Sequence, residues 1–496
     1  MKFKGNILKW NLFGLFALLV ITANAQVNHT LYNMHTIPQS CFLNPAIQGP
    51  CKVWVGMPVL SSIHLDAGNT FASFNSATYK EDSSFYPDVD IILRKMHKID
   101  FITTELHLNL IALGYRYKDY YFTFTVTEKN NTITSFPHDL ISFVWEGNSS
   151  EVGQTIHMNR LGVNMMHYRE FGLGVSKRFD DALTIGLRGK LLFGKAHLQT
   201  KRMQLELTTL DRTRDWDIHS ELLINASAPI TLATDQNGII TDAQLNDPLD
   251  IRQLILNRQN PGFALDGGFL YDVNEKLTLS GSFIDLGFIR WRSDVHNISE
   301  SYDYTYEGIN LDSIDFDLVE YARGLLDTVI NNFRLENTND PYTTLLPLRL
   351  HAGATYKLTR KTNVGFMHGY RIYKWRFIPS ATLSLNTRPV KWLSTSVSWS
   401  YHNYTLNNLG LGFGLQSRNF QYYMVSDNVS GLIWPQTTRG VNLRFGFNFF
   451  FGCKNTPKEE DVCMECPGCQ WLRTEVKKDY QRNQFLGGKK KKSKKK

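Results

Sequence analysis

Four of the six cysteines lie at or beyond residue 453, and their spacing is compatible with two kinds of chemistry. Cys453 is followed by Cys463, Cys466 and Cys469, so the last three form a C-x-x-C-x-x-C run. An iron–sulfur site of this type would need one more cysteine where Arg473 stands. Four thiolates could instead hold Zn²⁺ tetrahedrally or pair as two disulfides, which an oxidising compartment favours.

The other two cysteines, Cys41 and Cys51, bracket a turn-rich stretch that contains Asn44-Pro45 and Gly49-Pro50. Such turns could bring the two thiols close enough to form a disulfide. The alternative is two free thiols, because spacing alone does not fix the Cα separation that a disulfide requires.

Two glycine-rich stretches have the spacing of nucleotide-binding loops but not their context. Gly189 to Lys195 lacks the Ser or Thr that a P-loop places next, because Ala196 follows it, and the run alternates like a strand. Gly410 to Gly414 has glycine at every second position, which is typical of the small-residue face of a strand. Neither G-x-S-x-G nor H-E-x-x-H occurs. The sequence therefore predicts no enzyme and no cofactor.

The N-terminus has the three parts of an export signal. Three lysines in the first nine residues precede an apolar run from Trp10 to Ile21, and Ala23-Asn24-Ala25 follows. This order is typical of a cleavable signal peptide over residues 1–25, so we expect the mature chain to begin at Gln26.

Alternation between polar and apolar residues predicts strands with one oily and one wet face. In Leu393 to His402, Val397, Trp399 and Tyr401 alternate with serines, and Val441 to Phe451 repeats the pattern. Aromatic residues make up 13% of the chain, a richness expected of membrane-spanning barrels. No run of about 18 apolar residues follows residue 25, so helical spans are not expected.

Short turns alternate with long connections along the chain, an asymmetry typical of outer-membrane barrels. Six predicted hairpins cover residues 106–128, 163–197, 263–291, 348–373, 380–403 and 408–427, with a final strand at 441–450. Because such barrels normally have an even number of strands, we expect one more strand between Lys52 and Phe74. Of the two apolar runs there, Val53 to Leu60 and Ile63 to Phe74, one would then be a plug or a periplasmic piece. The predicted fold is an all-β transmembrane antiparallel barrel of about 14 strands.

The long connections carry further predicted structure. Apolar residues spaced three to four apart predict loop or plug helices at Pro137 to Trp145, Pro248 to Leu256 and Phe316 to Phe333. Strand-like alternation over Gln199 to Asn225 predicts a hairpin that extends beyond the barrel rim. The expected division is thus a barrel with an N-terminal plug or periplasmic segment over residues 26–452, and a tail over residues 453–496.

The net charge of +8 is concentrated at the two ends of the chain. Residues 26–488 are slightly acidic in sum, which argues against nucleic-acid binding. The C-terminal lysines favour a disordered periplasmic tail that could bind anionic partners such as peptidoglycan or lipid head groups. They are Lys489, Lys490, Lys491, Lys492, Lys494, Lys495 and Lys496.

Several basic residues and histidines fall on predicted strands or near their ends. We expect them to line the lumen or the rim, where they would contact one another or water instead of catalysing a reaction. They are His107, Arg188, Lys190, His351, His368, Arg371 and Arg444.

Two stretches carry a family resemblance. Leu43-Asn44-Pro45-Ala46 with Gly49 resembles a motif near the start of PorP/SprF-type outer-membrane proteins of the Bacteroidota. Val55 to Ile63, Tyr168 to Ser176 and Leu183 to Ala196 more closely resemble an uncharacterised barrel family of that phylum. The resemblance implies a location in the bacterial outer membrane and, for the PorP/SprF relatives, work with type IX secretion and gliding machinery. This chain differs in having the cysteine- and lysine-rich tail and no clear peptidoglycan-binding domain.

Two functions from different classes remain open at this point. The first is a non-enzymatic structural or accessory component of cell-envelope machinery, with outer-membrane lipid and periplasmic or secretion proteins as partners. The second is a channel or transporter for small or hydrophobic solutes, because a barrel of about 14 strands is too wide for its own side chains to fill.

Overall fold

The computed structural model describes residues 29–81, 84–146, 152–180, 182–211, 215–234, 240–245, 258–306, 335–373, 376–402, 405–417 and 419–453. The expected signal peptide, the tail beyond residue 453 and the predicted helices at 248–256 and 316–333 lie outside these ranges. Within them, no helix is long and apolar enough to cross a bilayer.

Fourteen antiparallel strands form a closed barrel, which confirms the predicted fold. The strands, in chain order, are β1 (in two pieces, Val53–Gly56 and Ile63–Asn69), β2 (Ile99–Tyr117), β3 (Tyr120–Pro137), β4 (Gly162–Arg178), β5 (Leu183–Thr209), β6 (Asn260–Asp272), β7 (Leu277–Trp291), β8 (Leu348–Lys357), β9 (Thr362–Tyr373), β10 (Arg376–Val390), β11 (Leu393–His402), β12 (Thr405–Gln416), β13 (Phe420–Ser426) and β14 (Gly440–Phe451).

The first strand closes the barrel in two pieces. The first piece pairs with β14 and β2, as in Val53 opposite Phe451 and Tyr115. The second piece also pairs with β14, from Ile63 to Gly68, and meets β2 at Asn69. The expectation that one of these two apolar runs leaves the wall is therefore wrong. Both runs belong to one strand, interrupted where Val59 takes a positive φ of 65°, so the even strand number is kept.

Alternation along the strands separates an outer apolar face from an inner polar one. On β11, Val397 and Trp399 are 45% and 51% exposed, whereas Ser396, Ser398 and Ser400 are buried. Because one face of the closed sheet is apolar all round, it suits hydrocarbon, while the other face lines the lumen.

One end of the barrel carries short turns and the other carries most of the added structure, and we call them the turn end and the loop end. At the loop end β5 continues to Thr209 and pairs with a strand at Trp216–Ser227, which in turn pairs with Val295–Tyr306. This confirms the predicted hairpin beyond the rim. Smaller strands lie at Thr78–Glu81, Ser84–Pro87, Thr155–His157, Ile230–Thr234, Ile240–Leu245, Glu336–Thr338 and Tyr342–Leu345.

The described helices are short. The α-helices are α1 (His29–Tyr32), α2 (Phe74–Ala77), α3 (Val89–Lys95), α4 (His138–Glu146) and α5 (Val429–Ile433), and 3₁₀ turns lie at Pro38–Phe42 and Pro435–Thr437. The predicted loop helix at residues 137–145 corresponds to α4 and is confirmed.

Candidate functional site in the barrel lumen

Residues 29–51, which we call the lumen segment, contact the inward side chains of strands around the barrel. Near its start, the backbone N–H groups of His29 and Thr30 donate to Asp427, at 3.0 and 2.7 Å. The Tyr32 hydroxyl donates to Ser280 Oγ on β7 at 3.0 Å. Most of these contacts are neutral hydrogen bonds, each of which contributes about 1 kcal/mol.

The second half of the lumen segment continues toward the turn end. Gln39 and Asn448 exchange two side-chain hydrogen bonds, at 2.6 and 3.0 Å. Asn44 donates to the carbonyl oxygens of Phe269 and Gly281 at 3.2 and 3.3 Å. The segment therefore contacts strands on several sides of the barrel without adding a strand to the wall.

An apolar cluster also holds the lumen segment. Five of its residues pack on inward residues of β9 and β13. The cluster comprises Leu31, Tyr32, Met34, Ile37, Leu43, Met367, Tyr423 and Val425. Glycine makes room for this packing, because a Cβ at Gly412 would overlap Met34 Sδ. The interpretation of Gly410 to Gly414 as a lumen face is confirmed.

The disulfide lies at the turn end and differs from the predicted one. Cys51 bonds to Cys453, which joins the chain before β1 to the chain after β14, and Cys41 is a buried free thiol. The expected Cys41–Cys51 bond is therefore wrong, because the pairing of β1 with β14 brings Cys453 to Cys51. Because Cys453 is in this bond, it cannot serve as the fourth thiolate ligand of the predicted zinc site while the disulfide is formed. Cys463, Cys466 and Cys469 lie outside the described residues.

Six charged side chains from five strands form a balanced cluster in the lumen, three cations with three carboxylates. Lys190 Nζ lies 2.6 Å from Asp285, 2.7 Å from Asp266 and 3.4 Å from Glu170. Lys129 lies 2.7 Å from Glu170 and 3.3 Å from Asp285, and Arg188 lies 3.5 Å from Asp266.

Backbone strain accompanies this balanced cluster. Asp285 has a φ of +65°, which is costly for a residue with a side chain. It lies opposite a register shift between Leu265 and Gly267 on the neighbouring strand β6. The Asp285 N–H donates to Asp266 Oδ1 at 2.8 Å, which fixes both carboxylates beside Lys190.

A second group, the arginine cluster, consists of Glu105, Arg349 and Arg371. Arg349 Nη2 lies 3.1 Å from Glu105 Oε2, and Arg371 Nη2 lies 2.5 Å from Glu105 Oε1. One carboxylate thus faces two guanidinium groups. Glu105 reaches them across the lumen, because it belongs to β2 and the arginines belong to β8 and β9.

One buried trio has side chains of metal-binding type. His64, Glu105 and His107 place one ligand atom each within 4.8 Å of one another. The surroundings oppose a cation, because both Glu105 oxygens contact arginines and His107 Nε2 bonds to Asn131 Oδ1 at 2.8 Å. The sequence signal for this trio was Glu105-Leu-His107, whose outer members share one strand face, but His64 lies far away in the chain.

The structure places six of the seven predicted lumen or rim residues on inward faces: His107, Arg188, Lys190, His351, Arg371 and Arg444. His368 is the exception. Its neighbours Met367 and Gly369 are buried and face inward, whereas Phe366 and Tyr370 are exposed. His368 shares the face of these exposed residues and therefore points outward. The stretch from Gly189 to Lys195 lies within β5, which is not the strand-to-helix context of a P-loop. The tail lysines 489–492 and 494–496 lie outside the described residues.

Several solved structures match this chain, and three of them illustrate how distant in sequence they are. The toluene transporter TbuX of Ralstonia pickettii has 10% identity and a TM-score of 0.41, with 84% of this chain and 94% of that chain covered. The monoaromatic hydrocarbon channel CymD has 7% identity and a TM-score of 0.40, with 87% of this chain and 98% of that chain covered. A FadL homologue of Pseudomonas aeruginosa has 8% identity and a TM-score of 0.37, with 87% of this chain and 96% of that chain covered. Likeness at this level carries no information about a substrate.

Sequence comparison gives a firmer result. No curated protein matches this chain. A family model described as a family of unknown function, DUF5723, matches residues 45–427, from the lumen segment to the end of β13. Since this match spans most of the chain, the protein belongs to the DUF5723 family of unknown function.

Proposed function

We propose that the protein is a non-enzymatic outer-membrane channel for small solutes that its own lumen segment closes. The observation that carries the proposal is that the wall is complete without this segment. Each of the fourteen strands pairs with wall strands on both sides, so displacement of residues 29–51 would break no wall ladder. It would leave a lumen lined by polar side chains, still crossed by the contacts of Glu105 with Arg349 and Arg371.

The way the segment is held supports reversible displacement. Its described polar contacts with the wall are mainly neutral hydrogen bonds, such as Thr30 with Ser398 and Asn33 with Ser384. Charged groups contribute at only a few points, where Asp427 accepts from the backbone and Arg188 and Arg116 donate to the segment. The buried ion pairs join wall strands to one another instead. Loss of the segment contacts would therefore cost far less than loss of the wall.

Conductance of the purified protein in planar bilayers tests the proposal. We expect the full-length mature protein to be closed or to open briefly, and a variant that lacks residues 29–40 to give long-lived openings. Tyr32→Phe is the matched control, because it removes only the hydrogen bonds of the hydroxyl with Ser280 and Asn44 and leaves the apolar packing. If the deletion variant retains a folded barrel yet stays silent, the channel proposal fails.

A structural or accessory role in envelope machinery is the second candidate, and the filled lumen favours it. In this proposal the protein would be related to PorP/SprF-type proteins in function as well as in sequence motif. Its exposed apolar belt would contact outer-membrane lipid. Its lysine tail would lie in the periplasm and bind peptidoglycan or a secretion protein. Cosedimentation with peptidoglycan, with and without residues 489–496, tests the tail. Equal cosedimentation of the two forms would remove the anchoring part of this proposal.

A further inference from the structure

Two buried arginines face each other in the wall. Arg349 on β8 and Arg371 on β9 are directly opposite in the ladder, and each is 6% exposed. Like charges directly opposite on paired strands are destabilising, and a guanidinium group does not lose its proton in proteins. The pair therefore requires negative charge nearby.

Glu105 supplies only part of that charge. Arg349 contacts both of its oxygens, and Arg371 contacts Oε1. His64 and His107, at 3.9 and 3.7 Å from the same carboxylate, add no negative charge. The direct contacts of the arginine cluster thus leave one positive charge in excess. At longer range the carboxylates of Asp285 and Asp66 also attract Arg349, and Arg444 adds a further positive charge beside it.

A cavity of about 10 Å³ adjoins the two arginines. Its lining consists of Arg349, His351, Gly369, Tyr370, Arg371, Ser380 and His402. A space of this size is at the lower limit for a single water molecule, which needs about 10 to 15 Å³. The Nε atoms of Arg349 and Arg371 are buried and have no hydrogen-bond partner, so each guanidinium group retains a donor for an occupant.

We infer that this cavity binds a single compact monovalent anion, of which chloride is the representative. One negative charge cancels the excess, and arginine N–H groups make charge-assisted hydrogen bonds to anions. Burial makes an uncompensated charge costly, which favours an anion over a water molecule. Phosphate and organic acids are far too large for the cavity, whereas chloride, which is slightly larger than a water molecule, requires only a small shift of the arginine side chains.

The anion would lie between the wall and the lumen segment. The ring of His402 is 5.5 Å from that of His29, and the ring of His351 is 5.6 Å from that of Tyr32. Binding would therefore stabilise the packing of the segment as well as the arginine pair. The inference goes beyond the proposed function and holds whether or not the protein conducts solutes.

Thermal unfolding of the detergent-solubilised protein tests the site at constant ionic strength, with sodium chloride replacing sodium gluconate. Gluconate is too large for the cavity. We expect the unfolding temperature to rise saturably with chloride, by about 2 °C or more, because a ligand that binds only the folded state stabilises it. Bromide should act in the same way.

Arg371→Gln leaves Arg349 and Glu105 as a neutral pair, so this variant should fold without chloride and show no saturable chloride effect. Arg202→Gln, on the exposed hairpin beyond the rim, is the matched control and should retain the effect. Crystals soaked in bromide should show an anomalous peak within hydrogen-bond distance of both Nε atoms. Equal effects of chloride and gluconate on the wild type, an unchanged effect in Arg371→Gln, or an absent bromide peak would each overturn the inference.

Discussion

The lumen contains two ionic clusters that differ in charge balance. In the balanced cluster, three cations contact three carboxylates, and Lys190 alone touches all three. In the arginine cluster, two cations share Glu105. Removal of a buried partner is costly when it leaves the other charge uncompensated. The comparison therefore teaches that equal substitutions in the two clusters should have unequal effects.

The largest effect is expected at the centre of the balanced cluster. Lys190→Met removes the cation that three carboxylates share, and only Lys129 and Arg188 remain for them. We expect a loss of about 3 to 5 kcal/mol in the free energy of unfolding, measured by urea denaturation in detergent. A change below about 1 kcal/mol would show that the carboxylates are hydrated or protonated, and the comparison would fail.

Glu105→Gln should be the next most harmful change. It leaves Arg349 and Arg371 opposite each other without a carboxylate, so we expect a loss of about 3 kcal/mol in the same assay. Chloride should recover more stability in this variant than in the wild type, because the positive excess is larger. The matched control is Glu221→Gln on the exposed hairpin, which should lower the free energy of unfolding by less than about 1 kcal/mol.

A third prediction concerns acid and the lumen segment, which lies outside both clusters. Burial lowers the pKa of His35 to about 4 and that of His29 well below its usual value. The docked segment thus binds fewer protons than the free one, and docking should weaken as pH falls from about 6.5 to 4. Asp427 opposes this, because burial raises its pKa to about 6, but two histidines act against one carboxylate.

The buried thiol of Cys41 reports this docking. In a background with Cys463, Cys466 and Cys469 changed to serine, the rate of maleimide labelling should rise by about tenfold between pH 7 and pH 5, after correction for thiol ionisation. His35→Gln should flatten the profile. A rate that falls with acid would mean that Asp427 dominates.

The smallest effect should come from Arg371→Gln. Like Lys190→Met, this variant loses one cation, but Arg349 and Glu105 remain as an oppositely charged pair. We therefore expect the free energy of unfolding, measured by urea denaturation without chloride, to change by less than about 1 kcal/mol. A loss as large as that of Lys190→Met would show that the arginine cluster contains further negative charge, and the contrast between the clusters would disappear.

Local patterns predicted much of the wall. Alternation in residues such as Val397 to Ser400 specifies which side chains face outward from the barrel, and short turns set the hairpins, so the strand number was predictable. The break in β1 was not, because the apolar runs Val53 to Leu60 and Ile63 to Phe74 look like separate elements until β14 pairs with both.

The candidate site was predictable only in part. Arg188, Lys190 and Arg371 were expected in or near the lumen, since they lie on polar strand faces. Their partners were not: Glu105 and Arg371 come together across the lumen, and the contact depends on how the sheet closes. The same holds for Cys51 and Cys453, which are 402 residues apart and meet where the first strand pairs with the last.

The sequence by itself determined that the chain forms strands with one apolar and one polar face, and therefore a barrel wall. This follows because side-chain direction alternates with every residue of a strand. Only the tertiary structure decided which charges meet in the lumen and that residues 29–51 fill it. Closure of the sheet brings distant strands face to face, and no local pattern records which inward residues will then lie opposite one another.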